Sequence, residues 1–390
     1  MTENRSLAIS AAEWNGRSEL RSPGRRTALV LSGGVAKGVY EAGAAYSLGE
    51  AGYAFDVICG TSIGALNGAL LAQGGEDTLS ELWHTLAERP ILQFVPAAAY
   101  LYDAYRALTG DAFVVVKAAR VLWNAYRAWD GGALLRLEGA YDPSGTKDVL
   151  SVLKLDRIAT PFMCAVTNVD TGRAEAFYAR PDGSGPVGFH GDRQVPVNTL
   201  DPKNADHIRL YPEVVRSSGA LPGAFAPVAL PGFGFPPVDP AQPYRYSDGG
   251  IVDNTPVRLA RKLGVTDMIV VFLSTGRETA PRVRTIVDIL QNLYAANQTQ
   301  LLDDELSLAI EARNALGRTE HNASEPTGRM MDRLVNIYQI RPSEPIPVPE
   351  LGFNDQAALD AGFEQGLRDG RSPPVRYEPP DGRTARSPGR

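Results

Sequence analysis

Only two cysteines occur among the 390 residues, Cys59 and Cys164, and both stand in apolar runs that read as buried strands. So few thiols give no basis for a disulfide framework or a cysteine-based metal site, and the pair is expected to be reduced core residues. A basic excess is missing as well: 39 Lys and Arg stand against 45 Asp and Glu, a formal net charge of -6. Phosphate backbones select basic surfaces, so no nucleic acid partner is expected. No stretch approaches the roughly 20 apolar residues that a membrane-spanning helix needs, which leaves peripheral contact as the expected kind with lipid. Charges and prolines interrupt NRSLAISAAEWNGRSELRSPGRR near the N-terminus, so no signal segment is read there. Residues 1–25 are expected to be a flexible lead, and the location cytoplasmic.

What is present is the composition of an ordinary globular protein, 44% hydrophobic and 22% charged. The length suits one large α/β domain with insertions, or two average domains. Short apolar runs alternate with helical patterns, which predicts an α/β fold around a mostly parallel sheet. TALVLS, FDVIC, FMCAVTNV, AEAFYA and MIVVFLS are the clearest strands, several of them apolar on both faces as covered central strands should be.

The stretch 96–138 differs. AAAYLYDAYRALTGDAFVVVKAARVLWNAYRAW sets aromatic and aliphatic residues at mixed helical spacings among scattered basic ones, and it reads as an inserted helical cap. It serves either extra core packing or, as the functional reading, a lid or a membrane-facing surface. Pro/Gly-rich sections at 180–202 and 230–243 read as long surface loops. Beyond Ser274, helical patterns predict a C-terminal helical region over 276–370 packed on the core. The final RSPPVRYEPPDGRTARSPGR lacks the apolar content to fold alone, so 371–390 is expected to be a disordered tail.

Gly60-Thr61-Ser62-Ile63-Gly64 fits G-x-S-x-G between a strand and a helix. A serine on so sharp a turn is held strained with its hydroxyl exposed, and glycines relieve the crowding around it. The competing reading is a serine N-cap in a glycine-rich turn. A second strand-to-helix turn, Ser32-Gly33-Gly34-Val35-Ala36-Lys37-Gly38, presents backbone N–H groups able to hold an anion. It is neither a dinucleotide fingerprint, which needs glycine at Val35, nor a Walker loop, which needs lysine after its last glycine whereas Lys37 precedes Gly38.

A nucleophilic serine needs a base. His84 falls in a helical pattern, His190 and His207 in polar loops, and His321 in a polar segment; none ends an apolar strand, which disfavours a Ser-His-Asp triad. In Tyr246-Ser247-Asp248-Gly249-Gly250, Asp248 precedes two glycines that permit close approach of another backbone or a substrate. An Asp-Gly turn is the plainer account. As a base of ordinary pKa, about 3.9, it would be weak. Asp248 would therefore need burial and a direct hydrogen bond to Ser62.

SGGVAKG, GTSIG and DGG, in this order, resemble the patatin-like phospholipase family. SSGALPGAFAPV, between the last two, strengthens the likeness, and GAYDPSGTKDVLSVL echoes it weakly. The resemblance runs from about Arg26 to Ser274. It implies a three-layer α/β/α sandwich with a mostly parallel central sheet, forming a catalytic domain over 26–275. It further implies Ser62 as nucleophile, Asp248 as base, and Gly33, Gly34 and the Val35 N–H as oxyanion hole. Lys37, Gly38, Gly60, Gly64, Gly249 and Gly250 support these motifs. The sequence departs from the family at Val35, usually a third glycine, and at Lys37, often arginine. If position 35 needs positive φ, a β-branched residue is costly there.

The implied activity is hydrolysis of fatty-acyl esters of the phospholipase A or lysophospholipase type, without metal or other cofactor. An acyltransferase using the same acyl-enzyme, or a non-catalytic lipid-binding protein, stays open.

Overall fold

In the computed structural model, which describes residues 8–19, 26–89, 91, 93, 139–186, 195–239, 241–276, 335–349 and 352–377, each long apolar run becomes a strand. The chain passes through α1 (Ala11–Glu19), β1 (Thr27–Leu31), α2 (Gly38–Glu50), β2 (Val57–Thr61), α3 (Ile63–Ala72), α4 (Glu76–His84) and α5 (Ser144–Leu150). It continues through β3 (Phe162–Asn168), β4 (Arg173–Ala179), β5 (Val197–Leu200), α6 (Ala205–Ser218), β6 (Val228–Ala229) and β7 (Arg245–Asp248). The last described elements are α7 (Val257–Lys262), β8 (Asp267–Val271), β9 (Asn336–Ile340), α8 (Gln356–Gly370) and β10 (Val375–Arg376).

The described strands form one sheet in the order β10-β9-β8-β1-β2-β3-β4-β5, with β7 also on β3 and β6 on β7. Its centre is parallel: β9 on β8, β8 on β1, β1 on β2 and β2 on β3. Every residue of β1, β2, β3 and β8 is buried. Alternate side chains serve opposite faces, as the two-residue strand period requires. Leu29 and Leu31 of β1 join a core shared with α2, α3, α4, α6 and α8, whereas Ala28 and Val30 join one shared with α7. The sheet therefore has helices on both faces, which is the three-layer α/β/α arrangement.

Four expectations change. Within the supposed flexible lead, residues 8–19 are ordered: Trp14 is fully buried, its rings meet Tyr53, Phe55 and Tyr338, and its Nε1 donates to Ala54 O at 2.8 Å. One large aromatic anchors a segment whose average polarity hides it. Within the supposed loop 180–202, Val197–Leu200 pairs parallel to β4. The C-terminal region is not wholly helical, since Asn336–Ile340 adds a parallel strand beyond β8. Residues 371–377 belong to the fold, because Val375 and Arg376 pair antiparallel with Gln339 and Tyr338. The cap expected at 96–138 and the segments 277–334 and 378–390 lie outside the described residues. Among the described residues no helix is long and apolar enough to cross a membrane.

Candidate active site

Two strands bring the site together by running toward one another along β3. Parallel β2 ends with Thr61 beside Ala165, while antiparallel β7 ends with Asp248 beside Val166. Successive residues of β3 thus set the end of β2 against the end of β7, and the residue after Thr61 faces Asp248. Ser62 Oγ donates a hydrogen bond to Asp248 Oδ2 at 2.7 Å. The second oxygen, Oδ1, accepts from the Gly250 N–H at 2.7 Å, so Gly250 fixes the carboxylate that Asp248 presents.

Ser62 has φ 55°, ψ -124°, a left-handed conformation that costs about 1–3 kcal/mol for a side-chain-bearing residue. The flanking glycines explain why the chain can turn so sharply. A Cβ on Gly60 would run into the Gly64 carbonyl, and one on Gly64 would meet the carbonyl oxygens of Leu31 and Ser32. The glycines therefore let α3 start against the ends of β1 and β2, backbone on backbone. In the same way Gly249 lies against the Ala165 carbonyl. The Ser62 N–H is taken by Ser218 Oγ at 2.9 Å, and Ser218 Oγ donates in turn to Ala165 O at 2.7 Å.

Asp248 is only 3% exposed. Burial pushes its carboxyl up to about 6, against the opposing pull of the Ser62 and Gly250 hydrogen bonds, which favour the charged form. That value brings the carboxylate within reach of a serine hydroxyl as a base at neutral pH.

The 33–38 turn sits beside Ser62: a Cβ on Gly33 would lie 3.1 Å from Ser62 Cβ. Gly33 itself does not fit its expected role as a donor. Its N–H donates to Asn254 O at 2.8 Å, and Asn254 Nδ2 donates back to Gly33 O at 3.1 Å. This two-way clamp leaves Gly34 and Val35 as the turn's candidate oxyanion donors. Val35 has φ 54° and, with Ser62, is one of two non-glycine residues at positive φ among those described, so the conformation usually given to glycine is held by a β-branched side chain. Lys37 closes the turn, its N–H donating to Gly34 O at 3.1 Å, and Gly38 opens α2 with its carbonyl accepting from Asn67 Nδ2 at 2.9 Å.

A cavity of about 110 Å³ opens on Ser62, Asp248 and Val35. Apart from Ser62, Asp248, Thr146 and Arg216 its lining is apolar or glycine, with Leu66, Leu86 and Val149 among the aliphatic residues. The described histidines are elsewhere. His84 pairs with Asp360 at 2.8 Å, and His207, expected in a loop, lies in α6 with its Nδ1 accepting the Asp201 N–H at 2.9 Å. His190 and His321 fall outside the described residues. Among the described residues no cluster of three or more His, Cys, Asp or Glu could hold a metal ion. The sequence does not mark Ser218 or Asn254 as supports, although Ser218 lies within SSGALPGAFAPV and Asn254 four residues after DGG.

A family model described as patatin-like phospholipase matches residues 29–261, a span that includes the 33–38 turn, Ser62 and Asp248. The chain belongs to the patatin-like phospholipase family. A stretch of 53 residues is 51% identical to lysophospholipase nte1 of Aspergillus terreus, covering 14% of this chain and 4% of that protein. The patatin-like chain thus spans only a small fraction of that relative's length. Among solved structures, VipD from Legionella pneumophila is similar at TM-score 0.33 and 15% identity, over 89% of this chain and 67% of that one. Human GIVD cytosolic phospholipase A2 is similar at TM-score 0.31 and 10% identity, over 74% and 51%.

Proposed function

We propose that the protein is a lipid acyl hydrolase that works through a Ser62–Asp248 dyad. The observation that carries this reading is the 2.7 Å bond from Ser62 Oγ to the buried Asp248 Oδ2 on the wall of an apolar cavity. Ser62 Oγ adds to the carbonyl carbon of a fatty-acyl ester while its proton passes to Oδ2. The N–H groups of Gly34 and Val35 stabilise the oxyanion of the tetrahedral intermediate. The C–O bond then breaks, the leaving alcohol or lysophospholipid takes the proton from Asp248, and an acyl-Ser62 ester remains. Water gives a proton to the same carboxylate as it attacks that ester, and fatty acid is released with the Ser62 hydroxyl restored. The apolar lining suits an acyl chain, and with the family it supports phospholipase A or lysophospholipase substrates.

A fluorophosphonate probe is expected to label the folded protein at Ser62, and the protein to release fatty acid from lysophospholipid micelles. Ser62→Ala should abolish both. Absence of labelling in folded wild-type protein would sink the dyad reading, and transfer of the acyl group to an added alcohol without free fatty acid would favour an acyltransferase.

Acidity offers a second test. The working form of Asp248 is ionised, and its carboxyl lies near 6. With a neutral ester, kcat/KM is therefore expected to be level above about pH 7 and to fall about tenfold per unit below about pH 6. An acid limb near the ordinary carboxylate value, about 3.9, would mean that burial does not raise the carboxyl of the working base.

A further inference from the structure

The family match ends at residue 261, yet one residue that lines the cavity lies beyond it: Phe353. Its ring is 9% exposed and belongs to the core on the α2, α3 and α4 side of the sheet.

Two sets of contacts hold α8, the helix that follows it. On one flank, Gln356 at the start of α8 donates from Nε2 to Trp83 O at 2.9 Å and accepts from the Ala87 N–H at 3.2 Å, while Asp360 pairs with His84. These bonds tie α8 to the segment that carries Leu86, itself a lining residue. On the other flank α8 packs on α2 backbone to backbone: a Cβ on Gly366 would strike the Tyr40 carbonyl, and one on Gly43 the Phe363 carbonyl. Ser47 Oγ also donates to Leu367 O at 2.9 Å. Phe353 stands three residues before α8, so the contacts that fix this helix also fix where Phe353 joins the wall.

We propose that Phe353 is a specificity-determining residue, whose ring limits the length of acyl chain that the cavity beside Ser62 accepts. The occupant is the hydrocarbon chain of the substrate, because the wall is apolar and continuous with the Ser62 site. The proposal rests on the hydrolase reading, since it takes acyl esters as the substrates.

The test compares kcat/KM for p-nitrophenyl esters from butanoate to palmitate in wild type, Phe353→Ala and Phe353→Trp. A single methylene in an apolar pocket changes selectivity by roughly tenfold or more. The palmitate-to-butanoate ratio should therefore rise about tenfold in Phe353→Ala and fall in Phe353→Trp. Phe353→Leu should give an intermediate shift and serves as the reading if the alanine variant does not fold. Equal ratios in folded variants would overturn the proposal.

A parallel arm titrates octanoic to palmitic acid into Ser62→Ala protein with and without the Phe353 changes, and expects the same shift in binding. A shifted binding profile, where protein with Ser62 intact hydrolyses no ester, would reject the reaction and keep the wall. An active enzyme with unshifted profiles would reject the wall.

Discussion

Asp248→Asn is expected to cost about 10²- to 10⁴-fold in kcat/KM for an acyl ester and, in the same protein, to raise stability at neutral pH. The first effect follows because an amide cannot take the Ser62 proton, although it can keep the geometry: its oxygen accepts from Gly250 and its nitrogen donates to Ser62 Oγ. The second follows from burial. The folded-state carboxyl stands near 6 against an ordinary value of 3.8, so between these values the folded protein binds a proton that the unfolded chain does not. The contribution of this group to stability is then greatest below about pH 4, declines through that window, and above about pH 6 the buried charge costs about 3 kcal/mol. Asparagine removes the charge, and a gain of about 1–3 kcal/mol is expected at pH 7 but not at pH 4. Urea unfolding at the two pH values, alongside ester kinetics, measures both. Loss of stability at neutral pH together with loss of activity would make Asp248 a structural residue.

Gly64→Ala is expected to destabilise the fold by about 3 kcal/mol and to remove activity with it. The added Cβ would meet the Leu31 and Ser32 carbonyl oxygens. Neither is a side-chain tip that can swing aside, so α3 has to move off the end of β1 and take Ser62 with it. The same change at Gly49 is the control. Gly49 lies in α2 with nothing within 4 Å of its Cβ direction, and there alanine should add about 0.5–1 kcal/mol through helix propensity. Denaturant midpoints of the two variants should move in opposite directions. A shift of similar size and sign in both would rule out the backbone contact as the reason for the glycine.

The central strands and the hydrogen-bonded pair Ser62 and Asp248 were legible because the information is local. TALVL and MIVVF are apolar on both faces, and GTSIG and DGG mark turns by their glycines. Elements at the sheet margins were not legible. VNTL and NIYQI are short and half polar, and they become strands by pairing with β4 and β8. Likewise Trp14 reveals its anchoring role only where Tyr53, Phe55 and Tyr338 converge on it. At the site, position 35 takes positive φ with valine in it, the costly case that the departure from glycine raised. Gly33 looked identical to Gly34 in sequence, and only the partner 221 residues away, Asn254, distinguishes them.

Asp248 has one oxygen committed to Gly250 and one to Ser62. In the proposed reaction every proton therefore passes through a single atom, so the two half-reactions form a queue: the alcohol must vacate the position before water can occupy it. Any hydroxyl compound that reaches that position first competes with water for the acyl group. How the acyl group is shared between hydrolysis and transfer is then a matter of traffic at Oδ2, set by which molecules surround the open cavity, and requires no second acceptor site.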